Sequence, residues 1–195
     1  MAKNITVREM TKRVSRYKKL TAQPWIFVDF ALPKGERDIL SVIGDGVKDR
    51  KSLAIDPAIK KVGSFHVIIV RAKPGHGAAL HAHKTEEVFM PLQGKWAVFW
   101  GDKGERRVVR EQYATSSVPP GVMRGFVNVG RKPGILHTTL GGKDPGKLTW
   151  SRSVLDEVKA RGYGLDKEGY PKKLDKPAAT RTRAAPCVPV PRPPP

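Results

Sequence analysis

The stretch GHGAALHAHKTEEVFMPLQG, residues 75–94, decides the fold of this chain and carries its clearest chemistry. His81 and His83 are two positions apart, and Glu87 follows after three more residues. Alternate residues of a β-strand point to the same face, so both imidazoles project together if this segment is a strand. A turn after His83 can bring the next strand back so that Glu87 joins them. Two imidazoles and one carboxylate on one side of a metal suit Fe(II), and related N/O sites hold Mn, Ni, Cu or Zn.

The same stretch resembles the first motif of the cupin superfamily, G-x5-HxH-x3-E-x6-G, and matches it in every spacing. The resemblance covers roughly residues 62–142. It implies an all-β fold, the double-stranded β-helix or jelly-roll barrel. It also implies that His81, His83 and Glu87 hold one divalent metal, with Fe, Mn, Ni, Cu and Zn as the candidates.

A second cupin motif, G-x5-PxG-x2-H-x3-N, is present only in part. Pro119, Gly121 and Asn128 stand at its offsets. Tyr113 occupies the position of its first glycine, and Arg124 occupies the position of its histidine, which is the fourth metal ligand of the family. The resemblance therefore implies a site with three metal ligands and one fixed positive charge.

Arg124 is the first of two candidate catalytic residues. It stays protonated, so it cannot bind a metal. In one interpretation it clamps a carboxylate, phosphate or enolate oxygen by paired hydrogen bonds. In the other it forms a salt bridge with Glu87 or another acid, and the pocket holds no metal.

The second candidate is His137, on the predicted last strand. If its side chain points inward, it completes the metal sphere or acts as an acid or base. If it points outward, it is a surface histidine. Alternation slightly favours the outward interpretation, because the face formed by its neighbours in sequence is the more apolar one.

The rest of the pattern predicts short strands separated by turn residues, which is typical of a sandwich or closed barrel. The predicted strands are residues 25–30, 65–71, 79–83, 87–92, 95–100, 105–110, 115–118, 124–129 and 135–140. Short helices are predicted near residues 7–14 and 154–161, the second with Ser153 as N-cap and Gly162 as its end.

The composition divides the chain into five segments. They are a basic N-terminal segment (1–22), a lead-in that packs on the barrel (23–61), the cupin barrel (62–142), a C-terminal extension with a short helix (143–170) and a disordered Pro/Arg-rich tail (171–195). The end of the tail, VPVPRPPP, has polyproline character. It would either dock on a proline-reading domain or have no partner.

The formal charge of +19 is concentrated at the two ends. Residues 1–22 hold seven basic residues and one acid, and residues 159–195 hold nine basic residues and three acids. Such ends either attract nucleic acid and other polyanions or are simply solvated. Aromatic residues are few there (Tyr17, Tyr163 and Tyr170) and no known nucleic-acid motif is present, so nucleic acid is not the expected partner.

Location and assembly follow from weaker signals. Cys187 is the only cysteine, which fits a reducing compartment, and the N-terminus lacks the apolar core of a secretory signal. We therefore expect a cytoplasmic protein without a membrane partner. The predicted strand at residues 25–30 would add to the sheet of a second copy and form a homodimer.

Three functions fit these observations. The first is a metal-dependent enzyme that acts on a small oxygen-rich or carboxylate substrate, with oxygenase, decarboxylase, isomerase or lyase chemistry and dioxygenase-like chemistry first among them. The second is a non-catalytic cupin that binds a small ligand with weak or no metal. The third is a polyanion-binding protein that uses the basic ends. The fold does not choose among the reactions.

Overall fold

The computed structural model describes residues 4–23, 25–44, 57–60, 62–142, 148–167 and 169–175. These residues form mostly strands. The strands are β1 (Asp38–Ile43), β2 (Phe65–Ala72), β3 (Gly77–Ala82), β4 (Glu87–Gln93), β5 (Trp96–Trp100), β6 (Arg106–Arg110), β7 (Ser116–Val118), β8 (Arg124–Asn128), β9 (Gly134–Gly141), β10 (Thr149–Trp150), β11 (Tyr163–Leu165) and β12 (Pro171–Lys173). The helices are α1 (Val7–Thr11) and α2 (Arg152–Ala160), with 3₁₀ turns at Tyr17–Lys19 and Val28–Ala31.

Two five-stranded antiparallel sheets make up the barrel. Their strand orders are β1-β2-β9-β4-β7 and β10-β3-β8-β5-β6. The two sheets share one apolar core, in which the ring of Phe89 from the first sheet lies 5.4 Å from the ring of Phe126 from the second. This order is that of a jelly roll, so the predicted all-β double-stranded β-helix is confirmed.

Alternation along the strands decides which side chains enter the barrel. On β9, Leu136, Thr138 and Leu140 are buried, whereas the residues between them are only half-buried. On β4, Glu87 and Phe89 are buried in the same way. The barrel strands therefore bring one carboxylate into a core that is otherwise largely apolar.

The lead-in differs from its prediction. Residues 25–30 do not form a strand, because the backbone of Trp25 is left-handed (φ 52°) and a 3₁₀ turn follows at Val28–Ala31. This turn buries Phe27, Phe30 and the carboxylate of Asp29 under the barrel. Residues 25–30 therefore provide no strand that could add to the sheet of a second copy. The strand of the lead-in is instead β1.

The C-terminal extension contains the predicted helix and an unpredicted hairpin. The N-cap of α2 is Ser151 rather than Ser153, since the hydroxyl of Ser151 accepts a hydrogen bond from the amide of Val154 at 3.3 Å. Strand β12 pairs with β11, so the predicted disordered tail is wrong for Pro171–Lys173. The remainder of that prediction, residues 176–195, lies outside the described residues. No helix in the described part of the chain is long and apolar enough to cross a bilayer.

Candidate metal centre

The candidate ligands come from both sheets and meet between them. His81 lies on β3, and His83 follows directly after the end of that strand. Glu87 is the first residue of β4 in the opposite sheet. Arg124, the first residue of β8, is the direct cross-strand partner of His81. The structure therefore brings together four of the five residues that the sequence predicts for the site.

The three candidate ligands form a compact group. One ligand atom from each of His81, His83 and Glu87 lies within 4.8 Å of the others, and all three residues are buried. The Nδ1 atom of His81 lies 2.7 Å from the carbonyl oxygen of Ala79 and donates to it. This hydrogen bond fixes the orientation of the ring and leaves the lone pair of Nε2 available, as in metal-binding histidines whose other ring nitrogen donates to a carbonyl oxygen.

Burial keeps both imidazoles neutral. It lowers the pKa of His81 from 6.5 to about 3, and the positive charge of Arg124 adds to this effect. The pKa of His83 is lowered further, by burial and then by its neighbours His81 and Arg124. Since a metal binds only the neutral imidazole, the histidines are in the ligand form at neutral pH.

Arg124 holds the carboxylate of Glu87. Its Nε donates to Oε2 at 2.9 Å, and its Nη2 lies 2.8 Å from the same oxygen. Burial raises the pKa of Glu87, while the charge and hydrogen bond of Arg124 oppose that rise. Of the two interpretations of Arg124, the structure contains the salt bridge with Glu87.

A small cavity lies beside the three ligands. Its volume is about 40 Å³, which holds roughly three water-sized groups. Phe27, Leu148 and Trp150 belong to its wall, and the ring of Trp150 packs 5.5 Å from the ring of His81. Arg124 is not among the residues that line this cavity, whereas Arg37 is. Of these two arginines, the structure therefore places Arg37, and not Arg124, at the wall of the cavity.

The sequence does not predict a place for Arg37 at the site. Its guanidinium forms a buried ion pair with Asp29 at 3.0 Å and lies 4.7 Å from the ring centre of Phe30. Burial is the largest influence on the pKa of Asp29 and raises it, against the attraction of Arg37. An arginine between Glu36 and Asp38 is typical of a surface, so the local sequence has no signal for its burial.

Several polar atoms around the cavity lack a partner. They are Nδ1 of His83, Nε of Arg37 and Oγ1 of Thr138, and none has a hydrogen bond among the described residues. All three residues line the cavity. A buried polar group without a partner costs about 1–3 kcal/mol. These atoms and the three ligands fit a polar occupant, and the donor set fits one divalent metal without specifying which.

The structure places His137 away from this group. It lies on the outer face of β9 with Ile135, beside Tyr17 and Leu92, and burial there lowers its pKa. The prediction of a catalytic role for His137 is therefore corrected, because Thr138 is the residue of this pair that points inward. The outward alternative that alternation favours is the one observed.

The motif positions explain the local backbone. Gly75 and Gly94, which bracket the first motif, both have left-handed backbones, with φ of 76° and 83°. Tyr113 stands at a glycine position of the second motif and adopts φ 66° with an exposed side chain. Asn128 is fully buried and hydrogen bonds to backbone at Ala72, Gly130 and Lys132, which fixes a turn.

The strand order and the location of the motif between the two sheets decide the fold family. This chain has the cupin fold. No protein-family model matches the sequence of this chain, and no curated protein matches it either.

Several solved structures are similar to this chain. An RmlC-like cupin from Shewanella frigidimarina is 17% identical over 68% of this chain and 89% of that chain, with a TM-score of 0.44. An uncharacterized conserved protein with a double-stranded beta-helix domain from Klebsiella pneumoniae is 20% identical over 46% of this chain and 77% of that chain, with a TM-score of 0.41. An oxalate oxidase is 21% identical over 70% of this chain, with a TM-score of 0.48, and the match spans 62% of the oxidase chain.

Proposed function

We propose that this cupin binds one divalent metal through His81, His83 and Glu87 and uses it to bind a small carboxylate or other oxygen-rich molecule. The observation that carries the proposal is the buried group of three ligand atoms within 4.8 Å of one another. A bound metal would supply Lewis-acid polarisation of a substrate oxygen. The proposed reaction is of oxygenase, decarboxylase, isomerase or lyase type.

The cavity limits the size of the molecule. A volume of about 40 Å³ restricts the molecule to the smallest carboxylates, those of one or two carbon atoms. The apolar wall of Phe27, Leu148 and Trp150 excludes bulk water and strengthens electrostatic interactions inside. Formate, acetate, glycolate and oxalate are therefore the first compounds to screen.

Two donors face this molecule in the proposal. Arg37 Nε and Thr138 Oγ1 are buried without a partner among the described residues, and both residues line the cavity. A carboxylate oxygen would accept from these donors and be oriented by the positive charge of Arg37. Arg124 has a different role, because its guanidinium holds the carboxylate of Glu87 in place and balances its negative charge.

The Arg124–Glu87 ion pair favours a second candidate function. A metal that takes Glu87 must share its carboxylate with a guanidinium, and the two positive charges repel each other. This observation supports a non-catalytic cupin that binds a small ligand with weak or no metal. Metal content separates the two functions.

The deciding experiment combines metal analysis with an activity screen. The purified full chain would be analysed for metal, loaded in turn with Fe(II), Mn, Ni, Cu and Zn, and assayed for oxygen uptake and product formation with the four small carboxylates. Turnover that requires both metal and Glu87 supports the enzyme. Carboxylate binding in metal-free protein, without turnover in any loaded form, supports the alternative.

A cytoplasmic location is also part of the proposal. It is supported by the single cysteine, Cys187, which permits no disulfide within the chain. Fractionation of cells that express the full chain tests this location.

A further inference from the structure

A second concavity lies on the other side of the sheet that carries the histidines. Its volume is about 260 Å³. We call it the outer groove and define it by Leu32, Lys34, Phe99, Arg107, Val127 and Val154. The outer face of the second sheet forms its floor, and α2 and the lead-in form its walls. It shares Phe126 and the backbone around β3 with the barrel core but none of the three metal-ligand candidates.

Two glycines allow close packing at the floor of the outer groove. A Cβ atom on Gly125 would lie 2.3 Å from the ring of Phe99, so the ring rests directly on the backbone there. A Cβ atom on Gly77 would lie 1.9 Å from the carbonyl oxygen of Phe126. Val127 is half-buried on this face, whereas its neighbour Phe126 is buried. The floor is therefore an apolar surface with one aromatic ring.

Basic side chains surround this apolar floor. Lys34, Lys103 and Arg107 line the outer groove. The acid Glu157 also lines it but is engaged by Arg161, whose Nη2 donates at 3.2 Å. The other lining acid, Asp29, is fully buried and paired with Arg37. Within the described residues, neither Lys34 nor Arg107 forms an ion pair, so the groove has an excess of positive charge.

We propose that the outer groove binds a small amphiphilic anion with an apolar chain or ring and one carboxylate-like head. The apolar part would cover Phe99 and Val127, where burial supplies the affinity. The head would accept hydrogen bonds from Lys34, Lys103 or Arg107, which orient the molecule. The inner cavity of about 40 Å³ is too small for such a molecule. This inference does not depend on metal binding.

Decanoate is the probe for the test, with isothermal titration calorimetry on the full chain below the micellar concentration. We expect saturable binding to one site. The double variant Lys34→Ala with Arg107→Ala should bind decanoate at least about tenfold more weakly, the factor for a lost charge-assisted hydrogen bond. Decanol, which has the chain without the charge, should also bind more weakly than decanoate. Val127→Trp should abolish binding by filling the groove.

Matched variants keep the test decisive. Arg106 is the exposed neighbour of Arg107 on β6 and points to the opposite side of the strand, so Arg106→Ala removes the same charge from outside the groove. It should change the affinity by less than about twofold. Arg107→Lys should retain most of the binding, and the double variant His81→Ala with His83→Ala should bind decanoate like the wild type. Equal losses in Arg106→Ala and Arg107→Ala, unsaturable binding, or loss of decanoate in the histidine variant would overturn the proposal. Thermal melting of each variant confirms that it is folded.

Discussion

Arg124 and Glu87 form a fully buried ion pair in which one carboxylate oxygen lies 2.9 Å from Nε and 2.8 Å from Nη2 of the guanidinium. The two residues come from opposite sheets, β8 and β4, so the pair also ties the barrel together. His83 Nε2 lies 3.6 Å from the same oxygen. Any metal that uses Glu87 therefore shares its carboxylate with a fixed positive charge, which already engages Oε2.

Replacing Arg124 should make the free energy of unfolding depend more strongly on bound metal. Arg124→Ala leaves a buried carboxylate without its partner and should lower the free energy of unfolding by about 3–5 kcal/mol without metal. A divalent metal would compensate the charge, so saturating Zn or Mn should recover more stability in the variant than in the wild type. Urea unfolding with and without metal measures this difference. An equal gain in both proteins would show that Glu87 is not a ligand.

Introducing the histidine of the second cupin motif at position 124 gives a second, opposite test of the same pair. Arg124→His removes the competing charge and adds an imidazole at the position of the fourth ligand. We expect metal to bind at least about tenfold more tightly, which is the effect of about 1.4 kcal/mol. Competition with a chromophoric chelator measures the affinity. Arg106→His, on the exposed edge strand, is the control and should leave the affinity unchanged.

Replacing Thr138 should have opposite effects on stability and on carboxylate binding. Its hydroxyl is buried without a partner in the described structure, so Thr138→Val should raise the stability of the ligand-free protein by about 1 kcal/mol. If the hydroxyl donates to a bound carboxylate, the same change should weaken binding of acetate or oxalate. Thr139→Val, on the outer face of β9, is the control and should do neither. A loss of stability in Thr138→Val would mean that the hydroxyl has a partner.

The buried histidines predict an acid limit for the metal-free protein. Burial lowers the pKa of His81 from 6.5 to about 3, so the unfolded chain binds more protons than the folded one between these values. Stability from this residue is therefore complete above pH 6.5 and is lost as the pH falls toward 3. The raised pKa of Glu87 has the opposite effect on stability above pH 4.5, because there the folded chain binds the extra proton.

The effect of the buried histidines on stability is best measured in the upper part of the pH range between 6.5 and 3. Between pH 6.5 and 5.5 we expect a loss of about 1 kcal/mol for each buried histidine, measured by urea unfolding in the presence of EDTA. His81→Gln should have a smaller loss over the same interval. An unchanged pH dependence in the variant would show that His81 is not held neutral by the fold.

Tyr113 tests the backbone interpretation of the second motif. Its left-handed conformation (φ 66°) is one that glycine adopts without strain. Tyr113→Gly should therefore be more stable than Tyr113→Ala by about 1 kcal/mol, since both variants lose the same exposed ring. Thermal melting of the two variants measures the difference. Equal melting temperatures would show that this position has no demand for glycine.

The part of the site that the sequence predicts is the part determined only by residue spacing and by the two-residue period of a strand. His81, His83 and Glu87 were predictable because a two-residue period fixes the face of each side chain. For His137, alternation favours the outer face of its strand, and the structure places it there. The barrel strands from β2 to β9 were likewise predictable from short apolar runs between turns.

Contacts between distant segments were not predictable. Arg37 is buried because Asp29 and Phe30 from a 3₁₀ turn surround it, and Trp150 packs on His81 across strands that are far apart in the chain. Neither contact has a local pattern. The apolar and aromatic residues at 25–30 favour a strand. Tertiary packing of Asp29 against Arg37 instead determines the 3₁₀ turn at Val28–Ala31.

Metal content of the purified protein tests the central claim most directly. The full chain and the double variant His81→Ala with His83→Ala would be prepared identically and analysed by inductively coupled plasma mass spectrometry. The control variant, His76→Ala with His137→Ala, also lacks two histidines but retains the proposed ligands. We predict about one divalent metal per chain in the wild type and the control, as for a single mononuclear site, and none in the double variant. Equal metal content in all three proteins, or its loss only in the control, would contradict the assignment of His81, His83 and Glu87 as the metal ligands.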